Sequence, residues 1–282
     1  DADAGKLVYR HQAQASNTYV AYNQHTGGPS GLMNNVKVRQ ALSLCFDRED
    51  FNKVLYSGVN KPAYGLIPFE MHCGKKVFRD EVDEPLKALV NKYKDKERIV
   101  KLFKEGVKEV KGSDDISGIE LEVLGQTNNT AAKNSLEWLA QSVQDVLGIK
   151  VKQNAQSETA TFVSERNANN YDYYLMGWNG DYDDPLTFFD LFTSDSGYAK
   201  FMGGYKNDEY DQMYDSLRTE GDEDKRLETY RKMEQNLVAD NAGVCPIMYQ
   251  YKQVFIQPYV KELDTPMFGT DFDISRSFVS GK

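Results

Sequence analysis

Apolar and polar positions alternate with period two over Thr18-Tyr19-Val20-Ala21-Tyr22, Ile119-Glu120-Leu121-Glu122-Val123-Leu124 and Ile149-Lys150-Val151-Lys152, which predicts three half-buried strands. Tyr171-Asp172-Tyr173-Tyr174-Leu175-Met176 reads as a fourth, more apolar strand. A 3.6-residue period predicts helices near residues 36–46, 48–56, 130–147, 158–167, 210–217 and 224–237. It also predicts a long helix over 85–110, clearest at Ile99, Leu102, Phe103, Val107 and Val110, whose Lys and Glu positions form a solvated face. Asp47 and Asp222 are placed to cap helices, and Gly58 and Gly148 to end them. The glycine-containing loop 27–31 separates the first strand from the first helix, and residues 61–68, with two prolines, read as an extended crossing. Residues 244–255 are strand-like but interrupted by Pro246.

Strand, helix, strand, helix, strand over 119–176 amounts to two successive β-α-β units, so the fold class is α/β. Both units lead into Gly177-Trp178-Asn179-Gly180-Asp181-Tyr182-Asp183-Asp184-Pro185, read as a loop past a strand end, with Pro185 near the start of a helix. Loops at the carboxyl ends of strands are where α/β domains place ligands. An aromatic wall and a carboxylate there suit a cationic, partly apolar small molecule. The same residues also make an ordinary capped link with Trp178 as core filler.

Net charge is -9, and no basic block is long enough to follow a phosphate backbone, which argues against a nucleic-acid partner. The 18 Tyr suggest aromatic-lined surfaces, although tyrosine also fills half-buried strands. Three cysteines (45, 73 and 245) lie far apart without CxxC spacing, so neither a disulfide framework nor a zinc site is indicated, and Cys45 reads as a small buried hydrophobe. Hydrolase, zinc-peptidase and nucleotide-binding signatures are missing, no metal or cofactor is implied, and neither a signal peptide at the amino end nor an apolar run of membrane-spanning length is seen.

Val36-Lys37-Val38-Arg39-Gln40-Ala41-Leu42-Ser43 followed by Phe46-Asp47-Arg48 resembles a signature of the extracellular peptide-binding proteins of ABC importers, the oligopeptide- and dipeptide-binding solute-binding protein family 5. Further matching stretches follow in the same order: Pro62-Ala63-Tyr64-Gly65, Ile67-Pro68, Leu147-Gly148-Ile149-Lys150-Val151, Gly177-Trp178 with Asp181 and Asp184-Pro185, 205–211, and Arg226 with Tyr230 and Glu234. Each piece is weak alone. The ordered set, over most of the chain, is specific.

The resemblance implies a periplasmic-binding-protein-like lobe, with a mixed sheet flanked by helices, from a two-lobe receptor about twice this length. It implies residues 1–22 as a hinge-proximal strand segment, 23–245 as the second ligand-binding lobe and 246–282 as a return segment that would join the absent first lobe. The chain then reads as an excised piece of a monomeric receptor, exported and either lipid-anchored at the cell surface or periplasmic, whose partners are a peptide ligand and an ABC permease in the membrane. Lacking the first lobe, the return segment is expected to pack differently or to leave apolar surface exposed. At the site the resemblance makes Asp181 the salt-bridge partner of a peptide α-amino group, with Trp178 as an apolar wall and Asn179, Gly180 and Tyr182 around it. Asn128, in a loop opening a helix, and Arg166, where some members carry a basic residue, are weaker ligand contacts. Against these stand an Asn-rich helix cap at 127–129 and a solvated helix end at Arg166. Ala132 and Leu175 stand where some members carry His and Arg, so a C-terminal clamp is in doubt. Asp183 and Asp184 read better as caps of the following helix than as ligands.

Two other functions compete: a receptor of the same fold for a sugar oligomer, metal chelate or haem, and an acidic-site hydrolase using Asp181 and Asp184. Asp181 favours an amine, and no nucleophile or metal motif supports the hydrolase. The resemblance implies no enzyme.

Overall fold

The computed structural model describes residues 6–281. The first five residues of segment 1–22, residue 282, and the stretch Asp1-Ala2-Asp3-Ala4-Gly5 searched for a signal peptide lie outside the described residues. In chain order the elements are β1 (Val8–Tyr22), α1 (Val36–Cys45), α2 (Arg48–Tyr56), β2 (Lys61–Pro62), β3 (His72–Cys73), β4 (Lys76–Val77), α3 (Phe78–Glu81), α4 (Leu86–Lys92) and α5 (Lys96–Lys111). Then come β5 (Glu120–Gln126), α6 (Thr130–Leu147), β6 (Lys150–Gln156), α7 (Thr159–Asn167), β7 (Tyr173–Asn179), α8 (Leu186–Phe189), α9 (Asp208–Leu217), α10 (Glu223–Glu234), a π-helical turn (Gln235–Asp240) and β8 (Val244–Ile256), with β9 (Val260–Lys261) and β10 (Phe278–Val279) in the tail.

Six strands form one mixed sheet in the order β2-β8-β1-β7-β5-β6. β5 runs parallel to β6 and β7, as β-α-β crossovers require, and β1 is antiparallel to both β7 and β8. Helices cover both faces. On one face Tyr22 meets Ser43 of α1 through their hydroxyls at 2.9 Å, and Tyr173 donates to the Leu139 carbonyl of α6. On the other, Tyr19 packs edge-on against Phe192, and Phe189 stacks on Tyr230 of α10. Eight of the twelve largest fully buried side chains are tyrosines, so most of the aromatic excess is core rather than binding surface. The three cysteines are free and buried.

Asn35, Asp47, Asn129, Asn207 and Asp222 cap α1, α2, α6, α9 and α10 by accepting from backbone N–H groups of their first turns. Gly148, with φ +68°, ends α6. Several boundaries differ from the sequence pattern. The helix expected over 85–110 is two helices broken at 93–95, because α4 packs on the π-helical turn and α5 on α1. β8 passes through Pro246 without interruption: the register against β1 shifts between Thr18 and Tyr19, and this bulge absorbs the missing N–H. β1 begins ten residues earlier than its alternation indicates, since Val8 to Ala13 pair with Ile256 to Tyr251 in a ribbon.

The tail after β8 folds back on that ribbon. Arg10 donates to the Leu263 carbonyl at 2.9 Å, and Thr265 donates to Gln12 at 2.6 Å. Val8, Tyr9, Phe255, Phe272, Ile274, Phe278 and Val279 are exposed along ribbon and tail.

The motif residues at 36–48 are structural. Arg39 is buried and donates to the carbonyls of Met33, Asn241 and Ala242, and Arg48 is buried and donates to those of Ser43, Phe46, Ala63 and Pro246. Five-donor guanidinium groups satisfy carbonyls that two helices and a proline-containing strand leave open.

Candidate functional site

Gly177, Trp178 and Asn179 are the last residues of β7 and not part of a loop. They pair with Thr18, Asn17 and Ser16 of β1. A β-carbon on Gly177 would stand 2.8 Å from the Asn17 carbonyl oxygen, so this close approach of two backbones explains the glycine before the tryptophan. Trp178 is half-buried, with its ring 5.0 Å from that of Tyr198 in an edge-on contact, and its indole Nε1 is shielded from solvent without a hydrogen-bond partner. Trp178 packs against the core, as the core-filler reading has it, and Tyr198, itself exposed, lies against its ring.

The loop proper runs from Gly180 to Pro185 and is fixed at both ends. Gly180 N–H donates to the Ala15 carbonyl at 2.6 Å, and Asp181 N–H donates to Thr187 Oγ1 at 2.9 Å. Asp184 accepts from the Leu186 N–H, from the Tyr230 hydroxyl at 2.6 Å and from Arg226, so it is a cap and an anchor, as its place before Pro185 indicates. Asp183 does not cap the helix. Its carboxylate accepts from the His72 backbone N–H and contacts His72 Nδ1, both at 2.8 Å.

Asp181 is exposed, and among the described residues its carboxylate has no cationic or hydrogen-bonding partner. Asp190, on the turn after α8, lies close enough to feel it: burial, and secondly the Asp181 charge, push the Asp190 carboxyl up to about 6. Burial likewise pushes the neighbouring Tyr182 phenol up to about 12. Among the described residues no cation pairs with Asp181, and its charge acts on both Asp190 and Tyr182.

Asn128 is exposed just past β5, four residues beyond Leu124. Leu124, which pairs with Tyr174, is the last residue of β5 in register with β7, and Asn128 lies beyond the end of that strand. The helix cap next to it is Asn129, not Asn128, which leaves Asn128 without a capping duty. Beside it opens a cavity of about 280 Å³ whose lining includes Gln126, Asn129, Ala132, Phe162 and Leu175.

Arg166 is in the last turn of α7, whose connection leads to the amino end of β7, away from the Trp178 end. Its guanidinium nevertheless reaches the 198–201 turn, lying 4.4 Å over the Phe201 ring, while Tyr198 of that turn packs on Trp178. The Arg166 Nε and the Tyr171 hydroxyl are shielded and unpartnered, and among the described residues Arg166 forms no ion pair. Sequence reasoning missed Tyr198, Asp190 and His72; Tyr198 and His72 come from distant segments, and no local pattern marked any of the three.

A surface cavity of about 920 Å³ lies elsewhere, between α4 and α10, and none of these residues lines it. Among the described residues no group of three or more His, Cys, Asp or Glu could hold a metal ion, and no helix is long and apolar enough to cross a membrane.

The family described as "Bacterial extracellular solute-binding proteins, family 5 Middle" matches residues 1–200. The oligopeptide-binding protein OppA of Bacillus subtilis is 29% identical over 231 residues, covering 80% of this chain and 39% of its own length. The periplasmic oligopeptide-binding protein OppA of Haemophilus influenzae is 26% identical over 255 residues, covering 89% of this chain and 44% of its own. The solved structure of Listeria monocytogenes OppA bound to peptide superposes with a TM-score of 0.76 at 26% identity, over 97% of this chain and 50% of that one. The chain therefore spans half or less of the length of these relatives. With its mixed sheet, flanking helices and ordered motifs accounted for, the chain belongs to family 5 of the bacterial extracellular solute-binding proteins.

Proposed function

We propose that this chain supplies one ligand-binding lobe of a receptor that captures peptides for an ABC importer and delivers them to a membrane permease. The observation that carries the reading is Asp181: an exposed carboxylate without a partner among the described residues, on a loop whose other acidic residues are both engaged and which follows the strand end where Trp178 meets Tyr198. A peptide α-ammonium entering a closed site must meet a carboxylate, because burying it unpaired costs several kcal/mol. Asp181 is that partner. Trp178 and Tyr198 supply the wall for the first side chain, and Asn179, Gly180, Tyr182 and Asn128 line the approach. Arg166, which forms no ion pair among the described residues, is the proposed partner of a ligand carboxylate. The names of the relatives, oligopeptide-binding proteins, support a peptide over a sugar oligomer, metal chelate or haem. In this reading the domain division at 22 and 245 holds, the exposed apolar ribbon and tail are covered by the other lobe, affinity arises when two lobes close on the ligand, and the whole protein works outside the membrane, lipid-anchored or periplasmic. Native mass spectrometry of the full-length protein purified from its host tests this: co-purified peptides support the reading, whereas a bound sugar, chelate or haem, or turnover of a substrate, overturns it.

A further inference from the structure

Three acidic residues share the loop after β7, and the structure treats them differently. Asp184 is held from one side by Tyr230 and Arg226 of α10. Asp183 is held from the other by the short hairpin of β3 and β4, through two contacts of 2.8 Å to a single residue, His72. Of the three, Asp181 is left without a carboxylate partner among the described residues.

The hairpin is a firm base for that grip. Met71, Cys73 and Phe78 are buried in the core on either side of the half-exposed His72, and the Phe78 N–H donates to the Met71 carbonyl at 2.8 Å. Its tip is tied to the start of α10, where Lys76 meets Asp224 at 2.7 Å and the Lys75 N–H donates to Glu223. The same helix thus braces both sides of the loop.

We propose that His72 is a positioning residue for ligand binding: it fixes Asp183 and thereby sets the orientation of Asp181. The role of Asp181 rests on the function proposed above; the grip on the loop does not, and is measured without ligand. An exposed pair is worth little to global stability, so its effect is local. Asparagine carries its side-chain N–H three bonds from Cα, as Nδ1 of histidine does, and can restore the contact; alanine cannot.

The test is amide hydrogen exchange, read by NMR on the 282-residue chain. The Asp181 and Asp184 amides are hydrogen-bonded to Thr187 and Tyr182, so their exchange reports opening of the loop. His72→Ala is expected to speed exchange at both about tenfold, as loss of a hydrogen bond to a charged group implies, with the Tyr174 amide in β7 unchanged. His72→Asn is expected to return both to within about twofold of wild type. Unchanged loop exchange in His72→Ala, acceleration spread evenly over the chain, or failure of His72→Asn to rescue would each overturn the proposal. None of these results depends on whether Asp181 binds an amine, which has its own test below.

Discussion

The Tyr230 hydroxyl donates to Asp184 Oδ1 at 2.6 Å while accepting from Arg226 at the same distance, and this relay ties α10 to the loop that carries Asp181. Matching residues at 184, 226 and 230 are therefore a structural unit: an arginine and a tyrosine spaced one helical turn apart converge on one carboxylate. Tyr230→Phe keeps the ring stacked on Phe189 and removes only the relay. The expected cost is about 1.5–3 kcal/mol in urea-unfolding free energy, the range for hydrogen bonds to charged groups.

A second unit buries a full ion pair. Arg79 and Glu234 meet with almost no exposure, and Glu234 also accepts from the Leu66 and Ile67 N–H groups, which fixes the extended crossing of the chain. Removing one partner leaves an uncompensated charge in the core. Glu234→Ala should destabilise by about 3–5 kcal/mol, whereas replacing both residues with apolar ones of similar size should cost less than the two single changes together. Chemical denaturation of the three variants checks this.

Stability is expected to fall as pH rises from about 4 to about 6. Burial pushes the Asp172 carboxyl up to about 6 in the folded chain, from an ordinary value of 3.8, although Ser30 and the Glu122 N–H donate to it. In that window the folded state holds a proton that the unfolded state has released, so stability is greatest below the unfolded value and is lost through the folded one. For Asp172 the loss is on the order of 2–3 kcal/mol. Asp190 titrates in the same direction and window. Thermal melts between pH 4 and 7 should show the slope, reduced in Asp172→Asn.

The 282-residue chain alone is expected not to bind peptide measurably, because the proposed site is walled on one side only. Calorimetry with trialanine should give no binding heat. Micromolar affinity would show that this lobe carries a complete site.

Much of this was legible along the chain. The β-α-β run, the caps at Asp47 and Asp222 and the stop at Gly148 depend on neighbours in sequence, and the structure places them as the pattern indicates. The start of β1 was not legible, because Val8 to Gln12 leave no residue of β1 buried and the apolar residues that the ribbon does bury there, Val254 and Ile256, belong to β8, a partner distant in sequence. Pro246 misled for a different reason: β8 bulges beside it, with one extra residue between Met248 and Pro246, and the bulge removes the penalty that proline normally carries. At the site, Trp178 and Asp181 stand out locally as an aromatic next to an acid. What frees Asp181 is visible only in three dimensions, since Asp183 is occupied by a histidine 111 residues away and Asp184 by a tyrosine 46 residues away.

The most direct test of the central claim is calorimetry on the full-length protein with trialanine and with N-acetyl-trialanine, for wild type and Asp181→Ala. Wild type should bind the free amine far more tightly, Asp181→Ala should lose about 2–5 kcal/mol with trialanine, and acetylation should make little further difference in that variant. Equal trialanine affinity in wild type and Asp181→Ala would contradict the account.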